Sequence, residues 1–328
     1  MVAIMPPELR EDMTLVLTDA LIKNTPAFQP DETNLKLDTV FYATDFSAAC
    51  ENAWSYALAI AKQYGSRLFM AHVISPTAFA SVPLELLPLA QRRAISHAEQ
   101  QLRQMRRTHG GTGQLDCYLS LSQGNVADVL LGLSRQHGAD VMIVGTRGHR
   151  HLDRLLLGSV AEKVFRQSAC PVLVVPERAG SSDTIPVNRL LYATDFSEES
   201  FAAWRYASSL ARHFGAELIL LHVLPNGTAR SAESLGRDRI AVKDRLHDLI
   251  ASDLQASGKV RIEVGSGEPA RIISRTAAEF QADLVVLGVR RSTAQTAHQE
   301  ERTAYKVIRN SHCPVLTVST SRRLRYAA

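Results

Sequence analysis

Tyr42-Ala43-Thr44-Asp45-Phe46-Ser47 is written a second time, unchanged, as Tyr192-Ala193-Thr194-Asp195-Phe196-Ser197, 150 positions on (192 − 42). The offset holds outward from both stretches. Trp54 answers Trp204, Tyr56 answers Tyr206, Gly65 answers Gly215, and His72-Val73 answers His222-Val223. The offset then shortens to 143 (267 − 124). Gly124 meets Gly267, Ala139-Asp140 meets Ala282-Asp283, Gly145 meets Gly288, and Cys170-Pro171-Val172-Leu173 meets Cys313-Pro314-Val315-Leu316. A period this long marks a duplicated domain, not a solenoid unit. The repeat divides the 328 residues into an N-terminal extension (1–35), a first domain (36–178), a linker (179–186), a second domain (187–320) and a basic tail (321–328).

Within the first copy, Thr39–Ala43 is a short apolar run rich in β-formers and reads as a buried strand. Asp45-Phe46-Ser47 closes it. Ala53, Ala57, Ile60, Ala61 and Tyr64 then fall on one helical stripe over 48–64, and Gly65 ends that helix. Strands follow over 67–73, 115–121, 141–144 and 172–175, with helices over 86–108, over 125–137 and from Ser159. The second copy repeats this order. Strands alternating with helices imply βαβ crossovers, so each domain is expected to be a Rossmann-like α/β fold: a five-stranded parallel sheet with helices on both faces. In such a sheet, ligands sit at the carboxyl ends of the strands where strand order reverses. That singles out the ends of strands one and four: Ala43, Thr44 and Asp45, then Val144 and Gly145. Residues 1–35 have no counterpart; one short helix is expected over Leu15–Lys23.

Composition narrows the class. Hydrophobic residues make up 45% of the chain and charged residues 21%, and the net charge is +4. No uncharged apolar run reaches the roughly 18 residues needed to span a membrane, and no signal peptide is evident at the N-terminus. Cys50, Cys117, Cys170 and Cys313 show no metal-ligand spacing, which suits a reducing cytoplasm. Arg103, Arg106 and Arg107, and Arg322, Arg323 and Arg325 in the tail, read as solvated charge. Neither set comes with the aromatic studding or motif that nucleic-acid binding calls for.

After strand four the first copy reads Gly145-Thr146-Arg147-Gly148, and ten positions later Gly158-Ser159-Val160, a G-x2-G-x9-G-S pattern. Bare backbone can approach an anion closely, and a helix opening at Gly158-Ser159 offers free N–H groups and a favourable dipole. Arg147, His149, Arg150 and Arg154 add positive potential. No GxxxxGK[ST] loop exists in the chain. A rival reading is open: Ser159 and Glu162 have capping-box spacing, so Ser159 could serve only as a helix cap. Asp45 could likewise serve only its turn. The second copy acts as an internal control. Register 143 puts Arg291, Glu301 and Arg302 where the first copy has Gly148, Gly158 and Ser159, whereas Gly288 persists. Three of the four loop positions are therefore dispensable for folding, and a phosphate site is expected in the first copy alone.

Taken together, Tyr-Ala-Thr-Asp-Phe-Ser, the His-Val closing strand two, G-x2-G-x9-G-S and Cys-Pro-Val-Leu-Val-Val resemble the universal stress protein family, in tandem form. The resemblance implies an adenine nucleotide alpha hydrolase-like fold and an ATP, ADP or AMP ligand, with or without Mg2+. It assigns phosphate and ribose contacts to Gly145, Gly148, Gly158, Ser159 and Val160, a nucleotide contact to Asp45, and backbone contacts to adenine to Val73. It also implies pairing through the last strand, either between the two domains of one chain or between chains as a homodimer, and an unidentified regulatory protein partner. Three readings of function stay open: a nucleotide-binding stress-response regulator, a slow ATPase or phosphotransferase, and a ligand-free interaction scaffold. Asp45 is the only carboxylate clearly placed at the cleft, with Asp153 a second candidate, and no base is evident, so weak hydrolysis is the most that is expected.

Overall fold

Strand β1 (Thr39–Ala43) is buried along its whole length, as a central parallel strand of Val, Phe and Tyr should be. The computed structural model describes residues 35–109, 115–146, 157–177, 187–225, 232–250, 254–255, 257–290 and 299–320. The expected helix over Leu15–Lys23, the linker and the basic tail lie outside that set. In the first half β1 is followed by α1 (Ala48–Tyr64), β2 (Arg67–Ile74), α2 (Leu87–His109), β3 (Cys117–Gln123), α3 (Val126–Gln136), β4 (Val141–Gly145), α4 (Ser159–Gln167) and β5 (Val172–Val175). The second half repeats the series as β6 (Arg189–Thr194), α5 (Glu198–Phe214), β7 (Glu217–Leu224), α6 (Ala232–Asp248), β8 (Val260–Ser266), α7 (Pro269–Glu279), β9 (Leu284–Gly288), α8 (Gln299–Asn310) and β10 (Val315–Val318).

The ten strands form one sheet in the order β3-β2-β1-β4-β5-β10-β9-β6-β7-β8. Each half is parallel throughout, and the halves join where β5 and β10 run antiparallel, Leu173 opposite Leu316. The pairing expected of the last strands is therefore made inside one chain. Thr317 reinforces it, its hydroxyl donating to the Val172 carbonyl at 3.2 Å.

Alternation along the strands splits the core in two. Val40, Tyr42, Leu68, Met70 and Ile143 face α1 and α2, in a cluster continuous with Tyr192, Trp204 and Leu246 of the second half. Phe41, Ala71, Met142 and Val174 face α3 and α4, in a cluster continuous with Val285, Ile273 and Val307. Trp54 and Trp204 pack against Tyr42 and Tyr192 with ring centroids 5.2 Å apart in both halves, as packing residues should. Gly65 and Gly215 stop α1 and α5 in the left-handed conformation (φ 62° and 61°), which glycine adopts without steric cost.

Several boundaries differ from expectation by one or two residues: β2 ends at Ile74, β3 starts at Cys117 and β4 ends at Gly145. β3 runs two residues beyond Leu121, because the edge strand keeps pairing with β2 as far as Gln123 opposite Ile74. Polar Ser122 and Gln123 carry no apolar signal but still extend the ladder. No helix among the described residues is long and apolar enough to cross a membrane.

Candidate functional site

The order reverses between β1 and β4, whose neighbours on either side are β2 and β5. At that crevice a cavity of about 110 Å³ opens between the strand ends, α3 and the start of α4. Its walls include Ala43, Thr44, Asp45, Val73, Val144, Gly145, Gly158, Ser159 and Val160. Nine of the ten residues singled out from the sequence thus share one cavity. The tenth, Gly148, lies outside the described residues, as do Arg147, His149, Arg150, Asp153 and Arg154.

The β1 end is shaped by a turn. The Asp45 carboxylate accepts the Ser47 N–H at 3.0 Å, and the Thr44 hydroxyl accepts the Phe46 N–H at 3.0 Å. Phe46 takes up φ 63°. The second half builds the same turn, with Asp195 accepting from Ser197 at 3.0 Å, Thr194 accepting from Phe196 at 2.9 Å and Phe196 at φ 63°. Turn formation therefore accounts for both aspartates; Asp45 additionally faces the cavity. The halves differ beside it. Ser200 donates a hydroxyl hydrogen bond to Asp195 at 3.0 Å, whereas the matching Cys50 is a buried thiol on the cavity wall.

The glycines separate into two kinds. A Cβ built on Gly145 would lie 2.9 Å from the carbonyl carbon of Ala49, and one on Gly288 would strike the backbone of Glu199 and Ser200. These glycines let a strand end press against the first turn of a helix, which is why both halves keep them. Gly158 is different. Its φ of −62° and ψ of 145° suit any residue, so backbone conformation does not require glycine there.

Gly158 is also the N-cap of α4, and Ser159 is its first residue. The Glu162 N–H donates to the Gly158 carbonyl at 2.8 Å. The amides of Ser159, Val160 and Ala161 precede that first helical bond, so the helix itself leaves them unsatisfied. The capping-box reading of Ser159 is not realised: no side chain caps α4, and Glu162 instead pairs with Arg166 at 3.1 Å.

The second half departs here in shape as well as in sequence. At register 143, Ser159 and Gln167 correspond to residues 302 and 310. Helix α8 ends on that register at Asn310 but begins three residues early, at Gln299. Helix therefore occupies the place of Gly158, and the end of α8 stands about 4.5 Å further out at 1.5 Å per residue. Sequence reasoning also missed Glu199, which stands where the first half has Ala49. It is buried (7% exposed), 3.5 Å from the Arg290 guanidinium, and accepts a 3.2 Å hydrogen bond from the Thr320 hydroxyl. Its signal in the sequence was the acidic pair Glu198-Glu199 where the first half has Ala48-Ala49.

His72 and His222 close β2 and β7. Each ring Nδ1 lies 2.8 Å from the carbonyl oxygen of Thr44 or Thr194, and each ring lies against Phe46 or Phe196, with centroids 4.5 and 4.8 Å apart. Their role is to hold the turn in both halves. Among the described residues, no three His, Cys, Asp or Glu side chains come together as a metal site.

A family model described as Universal stress protein family matches the chain twice, over residues 36–176 and 186–319. A universal stress protein of Mycolicibacterium smegmatis is 27% identical over 302 residues, covering 85% of this chain and 96% of that protein. Another from Thermus aquaticus is 31% identical over 138 residues, 42% of this chain and 97% of the relative. Among solved structures, a universal stress protein from Archaeoglobus fulgidus aligns with a TM-score of 0.62 at 20% identity, covering 87% of this chain and 99% of that one. That last likeness bears on the fold.

Proposed function

The chain belongs to the universal stress protein family as two copies of its domain in tandem, and from that premise we propose that it is an adenine-nucleotide-binding regulatory protein that holds one nucleotide, in its N-terminal half. The observation that carries the reading is the contrast between α4 and α8. In the first half a helix starts at a cavity wall with unsatisfied amides and a residue without a side chain at its cap. In the second, the matching helix begins three residues earlier. Free amides at a helix start favour phosphate, and an apolar wall such as Val73, Val126 and Leu130 suits an adenine ring.

ATP is the ligand we favour, with ADP and AMP as weaker alternatives because they present fewer phosphate oxygens. The described residues supply no three-ligand metal site, so a Mg2+ ion would be held chiefly by the nucleotide's own phosphates. Binding is favoured over turnover because Asp45 is the one carboxylate among the described residues lining the cavity, and its turn already engages it. Occupancy of the first half would then act through a protein partner in the cytoplasm, by favouring one arrangement of the surface around the cleft.

Calorimetric titration tests the reading. One ATP should bind per chain, and Gly158→Glu should abolish binding while leaving the circular dichroism spectrum intact. A flat wild-type titration refutes nucleotide binding; two sites per chain refute the asymmetry.

A further inference from the structure

Thr146 follows Gly145 at the end of β4, and both of its backbone groups are committed. Its N–H donates to the Val175 carbonyl at 2.9 Å, and its own carbonyl accepts the Gly158 N–H at 2.8 Å. The side chain is buried (6% exposed) and lines the cavity, yet its hydroxyl has no hydrogen-bond partner. Of the five buried polar side-chain atoms without a partner among the described residues, Thr146 Oγ1 is the one on this wall.

The second half shows what the fold alone requires. Register 143 places Val289 at the same point, buried (3% exposed), its N–H donating to the Val318 carbonyl at 2.8 Å. Backbone role and burial match. Valine and threonine share a branched shape and differ by a hydroxyl in place of a methyl. The fold therefore needs the branch and does not need the hydroxyl. A buried hydroxyl left unpaired is unfavourable, so the first half carries a cost that its twin avoids with valine.

We propose that Thr146 is a specificity-determining contact of the N-terminal cavity: its hydroxyl donates a hydrogen bond to a phosphate oxygen of the bound nucleotide, beside the amides that open α4. The proposal rests on reading the cavity as a nucleotide site. The link between the Thr146 carbonyl and the Gly158 N–H ties this residue to the anion-favouring start of α4 and so points to phosphate. The same contact explains why the second half lacks the hydroxyl, since a half without a phosphate ligand has nothing to satisfy it.

The test compares wild type, Thr146→Val and Thr146→Ser by calorimetry with ATP and with 2′,3′-dideoxy-ATP, and by thermal melts without ligand. Thr146→Val should weaken ATP binding about ten- to a hundredfold, the span of a hydrogen bond to a charged group, without lowering the ligand-free melting temperature. Thr146→Ser should retain most of the affinity. The Val penalty should be equal for both nucleotides. A Val variant within about twofold of wild type overturns the proposal, as does a penalty that vanishes with the dideoxy compound, which would place the contact on the ribose. A lowered ligand-free melting temperature in Thr146→Val would also overturn it by making the hydroxyl structural. Wild-type protein that binds no ATP removes the underlying reading as well, an outcome distinct from the other three.

Discussion

His72 and Thr44 are joined across the β1–β2 crevice by a 2.8 Å contact between the imidazole Nδ1 and the carbonyl oxygen. His222 and Thr194 repeat it at the same distance. Because both halves make the contact, it belongs to the turn that they share.

A pH dependence follows from it. Burial lowers the pKa of both imidazoles, the hydrogen bonds to Thr44 and Thr194 pulling the other way; His213 is shifted down by burial as well. The unfolded chain accepts these protons near the ordinary histidine value of about 6.5, where the folded chain still resists them. Stability should thus be full above about pH 6.5 and should fall as pH drops toward the depressed folded-state values. Urea denaturation at about pH 7.5 and about pH 5.5 measures the difference, in a window above the carboxylate range. The His72→Gln/His222→Gln double variant should shrink it to the share left by His213, and an unchanged difference in that variant would rule the assignment out.

The two kinds of glycine should respond differently to alanine. Gly145→Ala places a methyl group against the Ala49 backbone and should cost about 1–3 kcal/mol as overpacking. Gly288→Ala meets a tighter contact and should cost at least as much. Gly158→Ala sits at a φ and ψ open to alanine and should lose under about 1 kcal/mol, the difference between glycine and alanine at an N-cap. Chemical denaturation of the three variants decides it; equal losses would contradict the distinction.

Thiol reactivity should rank by burial. Burial, followed by the nearby Asp45 charge, pushes the Cys50 thiol up to about 12, and burial takes Cys313 to about 11. Cys117, half-buried on the edge strand β3, is raised by burial with Arg106 acting against it. The thiolate is the reactive form. Alkylation of the native protein at about pH 8 should therefore mark Cys117 first, with Cys50 and Cys313 protected until unfolding. Peptide mass spectrometry gives the rate at each site, and Cys50 labelling as fast as Cys117 would contradict the ranking by showing that the cavity admits the reagent.

The junction of the halves should be energetically central. Leu173 and Leu316 sit opposite one another across the antiparallel ladder, 2% and 4% exposed. Leu316→Ala should cost about 2–5 kcal/mol, as core truncations do, and the double variant with Leu173→Ala should cost less than the two losses combined because the side chains share one space. Strict additivity would mean the two residues do not share a packing site.

Most of the fold was legible because duplication supplied its own control. Strand ends, the turn at Asp45 and the terminating glycines all recur, so their backbone roles could be separated from anything chemical. The cavity was legible for the same reason: Gly158 and Ser159 are where the copies part. Thr146 and Glu199 were not, since Thr against Val and Glu against Ala look like ordinary drift until burial and hydrogen bonding reveal which atom has no partner. The early start of α8 was hidden too. Gln299, Glu300 and Glu301 are good helix formers, but nothing in the letters says that the helix extends through a place its twin leaves open. The end of β3 escaped because ladder hydrogen bonds need no apolar side chain.

Because β5 and β10 belong to one polypeptide, each half meets the other at a local concentration fixed by chain length and not by how much protein a cell makes. Dilution cannot part them, and scarcity leaves every copy with its companion. A companion inherited in the same gene is also shielded from the demand to remain interchangeable. The rear half is thereby at liberty to become permanent scaffolding, free to gather mutations that would be forbidden if any two copies had to fit.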